Sequence, residues 1–458
     1  MERMTAQDLT TFLWPDELGW TQDFGALAVL DGRGLFDPDG RLRIETVRAA
    51  IASRLHLVPR FRQVPYVPRR GLGRPLWVDD QSFTLADHIR VEPLTPPGGE
   101  EQVLSAAENV RRRPLDRSRP LWEMVMFPGL AEQRVGLFLR VNHAVADGVA
   151  AVSMLSALLG PGSEQTSVPE QQWTPRQRPL DAELRRDVRH ERRRTLTSAW
   201  LMLVRPIRTM RSLGSAWPAT RQSLRDWGAP RTSLNRRIGP DRVMALVRTD
   251  LATVVTAAHR HSATVNDVLL TAVASGIGAL LRARGEPAEG VVMKAVLPVS
   301  LHDPQSELTA GNRLGQMVVP LPVGPSAADE RLQWIARQTA ARKGVGPPGW
   351  APIPSGGVVQ RLFLAYMARQ RRANTFVSNV PGPRERLHLA GMPVLRIFPV
   401  VPLAGNVTLG VGALSYAGEL NITAVGDRVQ CPDIGLFTDE VRNTLAALGV
   451  SVLRPALS

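Results

Sequence analysis

The chain is poor in the residue types that would indicate several common kinds of protein. It contains a single cysteine, Cys431, which excludes an intrachain disulfide and a cluster of thiolate metal ligands. Lysine occurs only at Lys294 and Lys343 among 56 basic residues, and aromatic residues make up 5% of the chain. The sequence has no RNA-binding signature and no zinc-finger spacing. We therefore expect no nucleic-acid partner, although the chain is basic.

The sequence also lacks the hydrophobic segments of an exported or membrane-spanning chain. Its first residues do not follow the basic-then-apolar order of a signal peptide, and no uncharged apolar run reaches about 18 residues. We expect a cytoplasmic protein without a spanning helix. The net charge of +14 would nevertheless attract the protein to anionic lipid or to phosphate-bearing cofactors.

The sequence does contain enough apolar material for two domains. Its 458 residues exceed one ordinary domain, and 44% of them are hydrophobic. Helical and strand-like patterns alternate up to residue 160, a stretch rich in Pro, Gln and Ser follows, and the alternation resumes near residue 240. We predict an α/β chain with an N-terminal domain over 1–160, a linker and arginine-rich helical segment over 161–239, and a C-terminal domain over 240–458.

Hydrophobic periodicity predicts several elements within these domains. The spacing of apolar residues predicts helices over 44–55 and 149–159, and a third that opens near Thr264 or Asn266 as the N-cap. Residues 134–141 read as a buried strand. Further strands are predicted in the second half, at 291–299, 316–323, 375–378, 394–401, 408–416 and 419–425.

The arginine-rich segment has a second periodicity. Arginines at positions 192, 193, 205, 208 and 211 separate apolar residues at helical spacing, namely Leu196, Trp200, Leu203, Ile207, Met210, Leu213 and Trp217. A basic amphipathic helix with tryptophan on its apolar side is typical of a membrane-surface contact. The same pattern is also typical of an inter-domain helix whose apolar stripe packs on a core.

The most informative stretch is residues 142–148, Asn-His-Ala-Val-Ala-Asp-Gly. It lies between the predicted buried strand and the predicted apolar helix, on the kind of loop that commonly carries function. Because imidazole can take a proton near neutral pH, His143 is a candidate general base. In the ordinary alternative, His143 merely lies near a turn, Asp147 caps the following helix and Gly148 relieves backbone strain.

Several other chemistries lack their motifs. The sequence has no Gly-x-Ser-x-Gly elbow, no His-Glu-x-x-His helix and no phosphate-binding loop of the Walker type. No metal ligands and no nucleophile are therefore predicted beside the histidine. A histidine of this kind suits direct transfer, in which it deprotonates a hydroxyl that attacks an activated acyl group.

Several further blocks occur in order along the chain. They are 59–63 (PRFRQ), 73–80 (GRPLWVDD) with Phe83 and His88, 115–123 (LDRSRPLWE), 266–268 (NDV), 298–300 (PVS), 311–313 (GNR) and 378–383 (SNVPGP). Together with residues 142–148, which we call the histidine loop, these blocks make the chain resemble the bacterial wax ester synthase/diacylglycerol acyltransferase family of the CoA-dependent acyltransferase superfamily. The resemblance covers nearly the whole chain.

The resemblance implies a fold and a site. The fold would be two chloramphenicol-acetyltransferase-like domains, with mixed sheets, flanking helices and an active-site channel between the domains. The family motif usually has two adjacent histidines, and Asn142 stands in place of the first, while His143 matches the second, the base. Asp147 would support the loop, Gly148 would permit a tight turn and close approach of substrate, and Asn266 and Asp267 would support the site.

The implied reaction moves a long-chain acyl group from acyl-CoA to diacylglycerol or a long-chain alcohol. It requires no cofactor besides acyl-CoA as co-substrate, and its apolar acceptors imply contact with a membrane or lipid-droplet surface. Two alternatives stay open. One is a condensation-type acyltransferase that uses a carrier-bound donor. The other is a non-catalytic binder of lipid or acyl-CoA, which the departure at Asn142 motivates.

Overall fold

The computed structural model describes residues 2–5, 8, 9, 12, 20–146, 148–160, 162, 173–204, 228–300, 314–343 and 357–454, with backbone only at 194–204, 300, 314 and 357–361. The strands are β1 (Glu2–Arg3), β2 (Asp23–Asp31), β3 (Gln63–Tyr66), β4 (Leu76–Asp79), β5 (Ile89–Val91), β6 (Trp122–Pro128), β7 (Arg134–Asn142), β8 (Arg242–Asp250), β9 (Val292–Ser300), β10 (Leu314–Pro322), β11 (Thr375–Pro381), β12 (His388–Leu389), β13 (Met392–Val400), β14 (Leu409–Tyr416) and β15 (Glu419–Asp427).

The α-helices lie between these strands in the sequence, apart from the last helix, which follows β15. They are α1 (Ile44–Arg54), α2 (Glu100–Arg112), α3 (Gly148–Leu159), α4 (Asp181–Val204), α5 (Leu251–Arg260), α6 (Val265–Ala283), α7 (Ala328–Lys343), α8 (Gly357–Met367) and α9 (Ile434–Ala447).

The first large sheet has the strand order β12-β13-β2-β7-β6-β5. Its pairs are antiparallel apart from β5 with β6, so the sheet is mixed. Strand β7 is central and buried on both faces from residue 135 onward, which agrees with its nearly continuous apolar sequence. It ends at Asn142, directly before the histidine loop.

The second large sheet has the order β10-β9-β11-β14-β15-β8 and is also mixed, because β11 runs parallel to β9 and β14. Helix α6 packs on this sheet with Leu269, Val273, Ile277 and Leu280 fully buried. A Cβ added to Gly276 would lie 2.6 Å from the Phe437 ring, so glycine allows α6 and α9 to approach closely. Among the helices described, α6 alone is long and apolar enough to cross a membrane, and it forms this core.

A small sheet, β1-β4-β3, holds the start of α4. Leu184 is buried against this sheet, and Arg3 and Arg74 form ion pairs with Asp187 and Glu191 of the helix. The first turns of the arginine-rich segment therefore pack on the protein. The apolar residues from Leu196 to Trp217, on which the two readings of this segment depend, lie outside the residues whose side chains are described.

The two large sheets do not follow the order of the chain. Strands β12 and β13 come from the second half of the sequence, yet β13 pairs with β2 of the first, with Phe398 opposite Leu27. Tyr416 anchors this crossover, because its hydroxyl donates to Val394 O and accepts from Leu387 N, both at 2.8 Å. The sequence did not indicate this exchange, and the boundaries near 160 and 240 stay a prediction.

The predicted elements agree closely with the structure. The helices predicted over 44–55 and 149–159 are α1 and α3, and the strand over 134–141 is β7. The six strands predicted in the second half are β9, β10, β11, β13, β14 and β15. The third helix is α6, and its N-cap is Thr264 rather than Asn266. The α/β class with mixed sheets and flanking helices is confirmed.

Candidate active site

His143 lies immediately beyond β7, where the chain turns toward α3. Its backbone N–H donates to Gln22 O at 2.7 Å, just before β2 begins. Its ring lies nearly perpendicular to the ring of Phe24, with an interplanar angle of 83° and the ring centroids 5.5 Å apart. Two adjacent strand ends therefore hold the histidine backbone and ring, and its side chain is half-buried.

Asn142 makes the turn at this point. Its Nδ2 donates to Asp23 Oδ1 at 3.0 Å, and its Oδ1 accepts from the backbone N–H of Ala144, also at 3.0 Å. The side chain thus joins the start of β2 to the backbone on the far side of His143. Both polar groups of the amide therefore have hydrogen-bond partners although the residue is buried. This arrangement does not require a side chain that titrates.

A network of buried charges extends from Asp23. The Arg140 side chain is only 2% exposed. Its Nη1 lies 3.5 Å from Oδ2 of Asp23, and its Nε donates to Oε1 of Glu123 at 2.5 Å. Arg90 also donates to Glu123, at 2.5 Å. Burial lowers the pKa of Arg140, while the carboxylates of Asp23 and Glu123 favour its charged form. The charged groups behind the histidine loop therefore partner one another.

The same region joins the two large sheets. Arg111 donates from Nη2 to Pro240 O at 2.5 Å and pairs with Glu108 in two contacts of 2.6 Å. Glu108 also accepts from the backbone N–H of Arg242, the first residue of β8, at 2.6 Å. Burial lowers the pKa of Arg242 to about 10. Because Arg140 donates to Arg111 O at 3.0 Å, the histidine loop and the inter-sheet junction share one polar network.

Gly148 begins α3 and faces the second sheet. A Cβ added to it would lie 3.4 Å from Cγ2 of Val380 on β11, an ordinary contact distance. Its expected role in a tight turn stays a prediction, because the preceding residue, Asp147, lies outside the described residues. Its expected role in close approach of substrate stays a prediction.

The block at 378–383 belongs to β11 and the turn that follows it. A Cβ added to Gly382 would come within 2.3 Å of Ser415 O, so this glycine is needed for packing against β14. The block therefore has a structural reason for its glycine, and Val380 brings β11 beside the start of α3.

Asp267 completes a capping box at the start of α6. Its carboxylate accepts from Thr264 N at 2.9 Å and Thr264 Oγ1 at 2.7 Å, and its other oxygen accepts from Thr339 Oγ1 of α7 at 2.7 Å. Within the described chain, no hydrogen bond links Asp267 or Asn266 to the histidine loop. Their expected role at the site stays a prediction, and capping accounts for the buried carboxylate.

The motif blocks of the first half meet in one aromatic stack. Phe61 lies 4.6 Å from Trp122, Trp122 lies 4.7 Å from His88, and His88 lies 5.3 Å from Phe83, measured between ring centroids. The indole of Trp122 donates to Phe61 O and His88 Nδ1 donates to Trp122 O, both at 2.8 Å. These blocks build the core beneath the loop.

Other predicted residues fall outside what the structure describes. Asp147 and the block at 311–313 lie outside the described residues, and Ser300 is described by its backbone alone. The residues that sequence reasoning missed are Gln22, Asp23 and Phe24. Their signal is faint, since Asp23 is only a carboxylate at the start of an apolar run, 119 residues from its partner.

Solved structures show that the fold is that of two-domain α/β acyltransferases. The chain superimposes on a wax ester synthase/diacylglycerol acyltransferase from Marinobacter aquaeolei with a TM-score of 0.68 and 22% identity, covering 97% of this chain and 98% of the other. The starter condensation domain of rhizomide synthetase gives 0.60 at 15% identity, with 98% and 94% covered.

Sequence comparison supplies the family. The wax ester synthase/diacylglycerol acyltransferase catalytic domain matches residues 4–269, and the C-terminal domain of the same family matches residues 310–449. The chain belongs to this family. A probable diacylglycerol O-acyltransferase of Mycobacterium tuberculosis is 29% identical over 439 residues, which are 93% of this chain and 90% of that protein. Another from this species is 32% identical over 432 residues, 89% of each chain.

Proposed function

We propose that the protein transfers a long-chain acyl group from acyl-CoA to diacylglycerol or a long-chain alcohol, forming triacylglycerol or wax ester and free CoA. The proposal rests on His143, a half-buried imidazole held between two strand ends in a chain of this family. Relatives named as diacylglycerol O-acyltransferases support the acceptor class. No cofactor besides the acyl-CoA co-substrate enters the proposed reaction.

In the proposed mechanism, His143 takes the proton of the acceptor hydroxyl, whose oxygen attacks the thioester carbonyl carbon. The tetrahedral intermediate collapses as the carbon–sulfur bond breaks, and His143 returns the proton to the departing CoA sulfur. Asn142 holds the loop on either side of His143, and Gly148 leaves space between α3 and β11. The net charge of +14 favours a donor that carries phosphates.

The acceptors are membrane lipids, so we place the reaction in the cytoplasm at the inner membrane surface or at lipid inclusions. The test is CoA release by the purified protein from palmitoyl-CoA, with hexadecanol or dioleoylglycerol as acceptor and mass spectrometry of the lipid product. His143→Ala and His143→Gln are assayed beside the wild type. Acceptor-dependent ester formation that both variants lose by at least roughly a hundredfold supports the proposal.

Two outcomes would contradict it. Turnover only with an acyl group on a carrier protein would indicate a condensation-type enzyme. Saturable acyl-CoA binding without turnover of any acceptor would indicate a non-catalytic binder, and Asn142→His would then be the next variant to assay.

A further inference from the structure

Helix α8 carries exposed apolar side chains on a protein whose other large hydrophobic residues are mostly buried. Leu362 is 66% exposed and Tyr366 is 38% exposed, one helical turn apart. Arg369 follows on the same side of the chain one turn later and is also exposed. The opposite side of the helix packs inward through Phe363, with the partly buried Met367. The described chain therefore leaves most of the Leu362 side chain uncovered.

The charged residues near α8 in the sequence have one sign. From residue 331 to residue 384 the sequence holds nine lysine or arginine residues and no aspartate or glutamate. In the part of the chain that the structure describes, Arg369, Arg371 and Arg372 form no ion pair, in contrast to the many arginines that do. A partner of this surface must therefore bring the negative charge.

The helix lies at the end of the fold that carries His143. Its inward side chains join a cluster containing Trp20, Val400 and Leu403. Val400 pairs with Gly25 on β2, and two residues earlier on β2 Asp23 pairs with Asn142. A surface that docks on α8 is consequently close to the strand ends that hold the histidine loop.

We infer that α8 docks the protein on anionic phospholipid bilayers, with Leu362 and Tyr366 entering the interface and Arg369, Arg371 and Arg372 facing the lipid phosphates. Exposed apolar side chains on a helix, followed directly by arginines that form no ion pair in the described chain, match this kind of surface. The inference rests on the proposed function in one respect, since that function takes its acceptor from a membrane. Vesicle binding itself requires no turnover.

The experiment is flotation of the purified protein with vesicles of pure phosphatidylcholine and with vesicles containing about one third phosphatidylglycerol. The double variant Leu362→Ser/Arg369→Gln removes one apolar contact and one charge. Its matched control is Val429→Ser/Arg428→Gln, an exposed apolar–basic pair after β15, in which Val429 is 74% exposed.

We expect the wild type to bind the anionic vesicles and to be released by salt. The α8 variant should bind them roughly tenfold or more weakly, and the control variant should bind as the wild type does. Equal binding by the α8 variant and the wild type, or no preference of the wild type for anionic vesicles, overturns the inference. Acyl transfer to a short, water-soluble alcohol without vesicles is measured in parallel, so failure of the proposed function is seen separately.

Discussion

Asn142 donates from its side-chain amide to Asp23 at 3.0 Å, and this bond ties the residue before His143 to a neighbouring strand. The same amide accepts from Ala144 N, so one side chain spans the histidine on both sides. Asn142 stands where the family motif usually has its first histidine, and its amide cannot titrate. We therefore expect Asn142 and Asp23 to act as positioning residues for the proposed base.

Asn142→Ala should lower kcat more than it changes KM. The substitution removes the hydrogen bonds of Asn142 to Asp23 Oδ1 and Ala144 N in a buried place, at a cost of about 1–3 kcal/mol. If half of this cost is expressed in the activation free energy through displacement of His143, kcat falls by roughly two- to tenfold. Steady-state kinetics with palmitoyl-CoA and saturating acceptor measure the split.

Gln63→Ala is the matched control for Asn142→Ala. Gln63 donates its side-chain amide to Asp79 at 3.1 Å in the small sheet, a bond of the same type away from the loop. The kcat of Asp23→Asn should lie between those of Asn142→Ala and Gln63→Ala, because this variant keeps an acceptor oxygen for Asn142 but removes the charge beside Arg140. A kcat for Asn142→Ala equal to that of Gln63→Ala contradicts the positioning role.

Asp267→Ala should reduce stability without a selective loss of activity. The variant breaks a capping box and removes the 2.7 Å hydrogen bond from the Thr339 hydroxyl, which keeps Ala336 O as an acceptor at 3.0 Å, so the free energy of unfolding should fall by about 1–3 kcal/mol. Thr264→Ala removes the other half of the box and should lower the urea midpoint in the same direction. A fall in kcat for Asp267→Asn at an unchanged urea midpoint would instead place Asp267 in the site.

Local sequence patterns predicted the helices and strands, but not which of them pair or pack against one another. The spacing of Leu269, Val273 and Ile277 predicted α6, and the strand–turn–helix pattern placed His143 at a strand end, because both signals lie within a few residues. The Asn142–Asp23 bond and the pairing of β13 with β2 join residues that are distant in sequence. Their partners are decided by the packing of whole sheets, which leaves no local signature.

His88 should make the protein less stable as the pH falls. Its ring is 4% exposed between Phe83 and Trp122, and burial lowers its pKa below the usual 6.5. Below about pH 6.5 the unfolded chain binds a proton here that the folded chain does not, so stability is present above that pH and is lost on acidification. Urea midpoints between about pH 8 and pH 5 measure the slope.

His88→Phe should flatten this slope while keeping the aromatic stack. At alkaline pH the variant should be less stable by about 1 kcal/mol, because the hydrogen bond to Trp122 O is lost. His259→Gln, on an exposed position of α5, should leave the slope as in the wild type. Equal slopes for the wild type and His88→Phe would show that His88 does not set the pH dependence.

The single cysteine should be inert in the folded protein. Cys431 is fully buried, with Sγ 3.5 Å from Thr408 O, and burial raises the pKa of its thiol. Since the thiolate is the reactive form, a thiol reagent such as dithionitrobenzoate at about pH 8 should label the native chain far more slowly than the chain in guanidinium, where one thiol should react. Similar labelling rates in both conditions would mean that Cys431 is accessible in the folded protein.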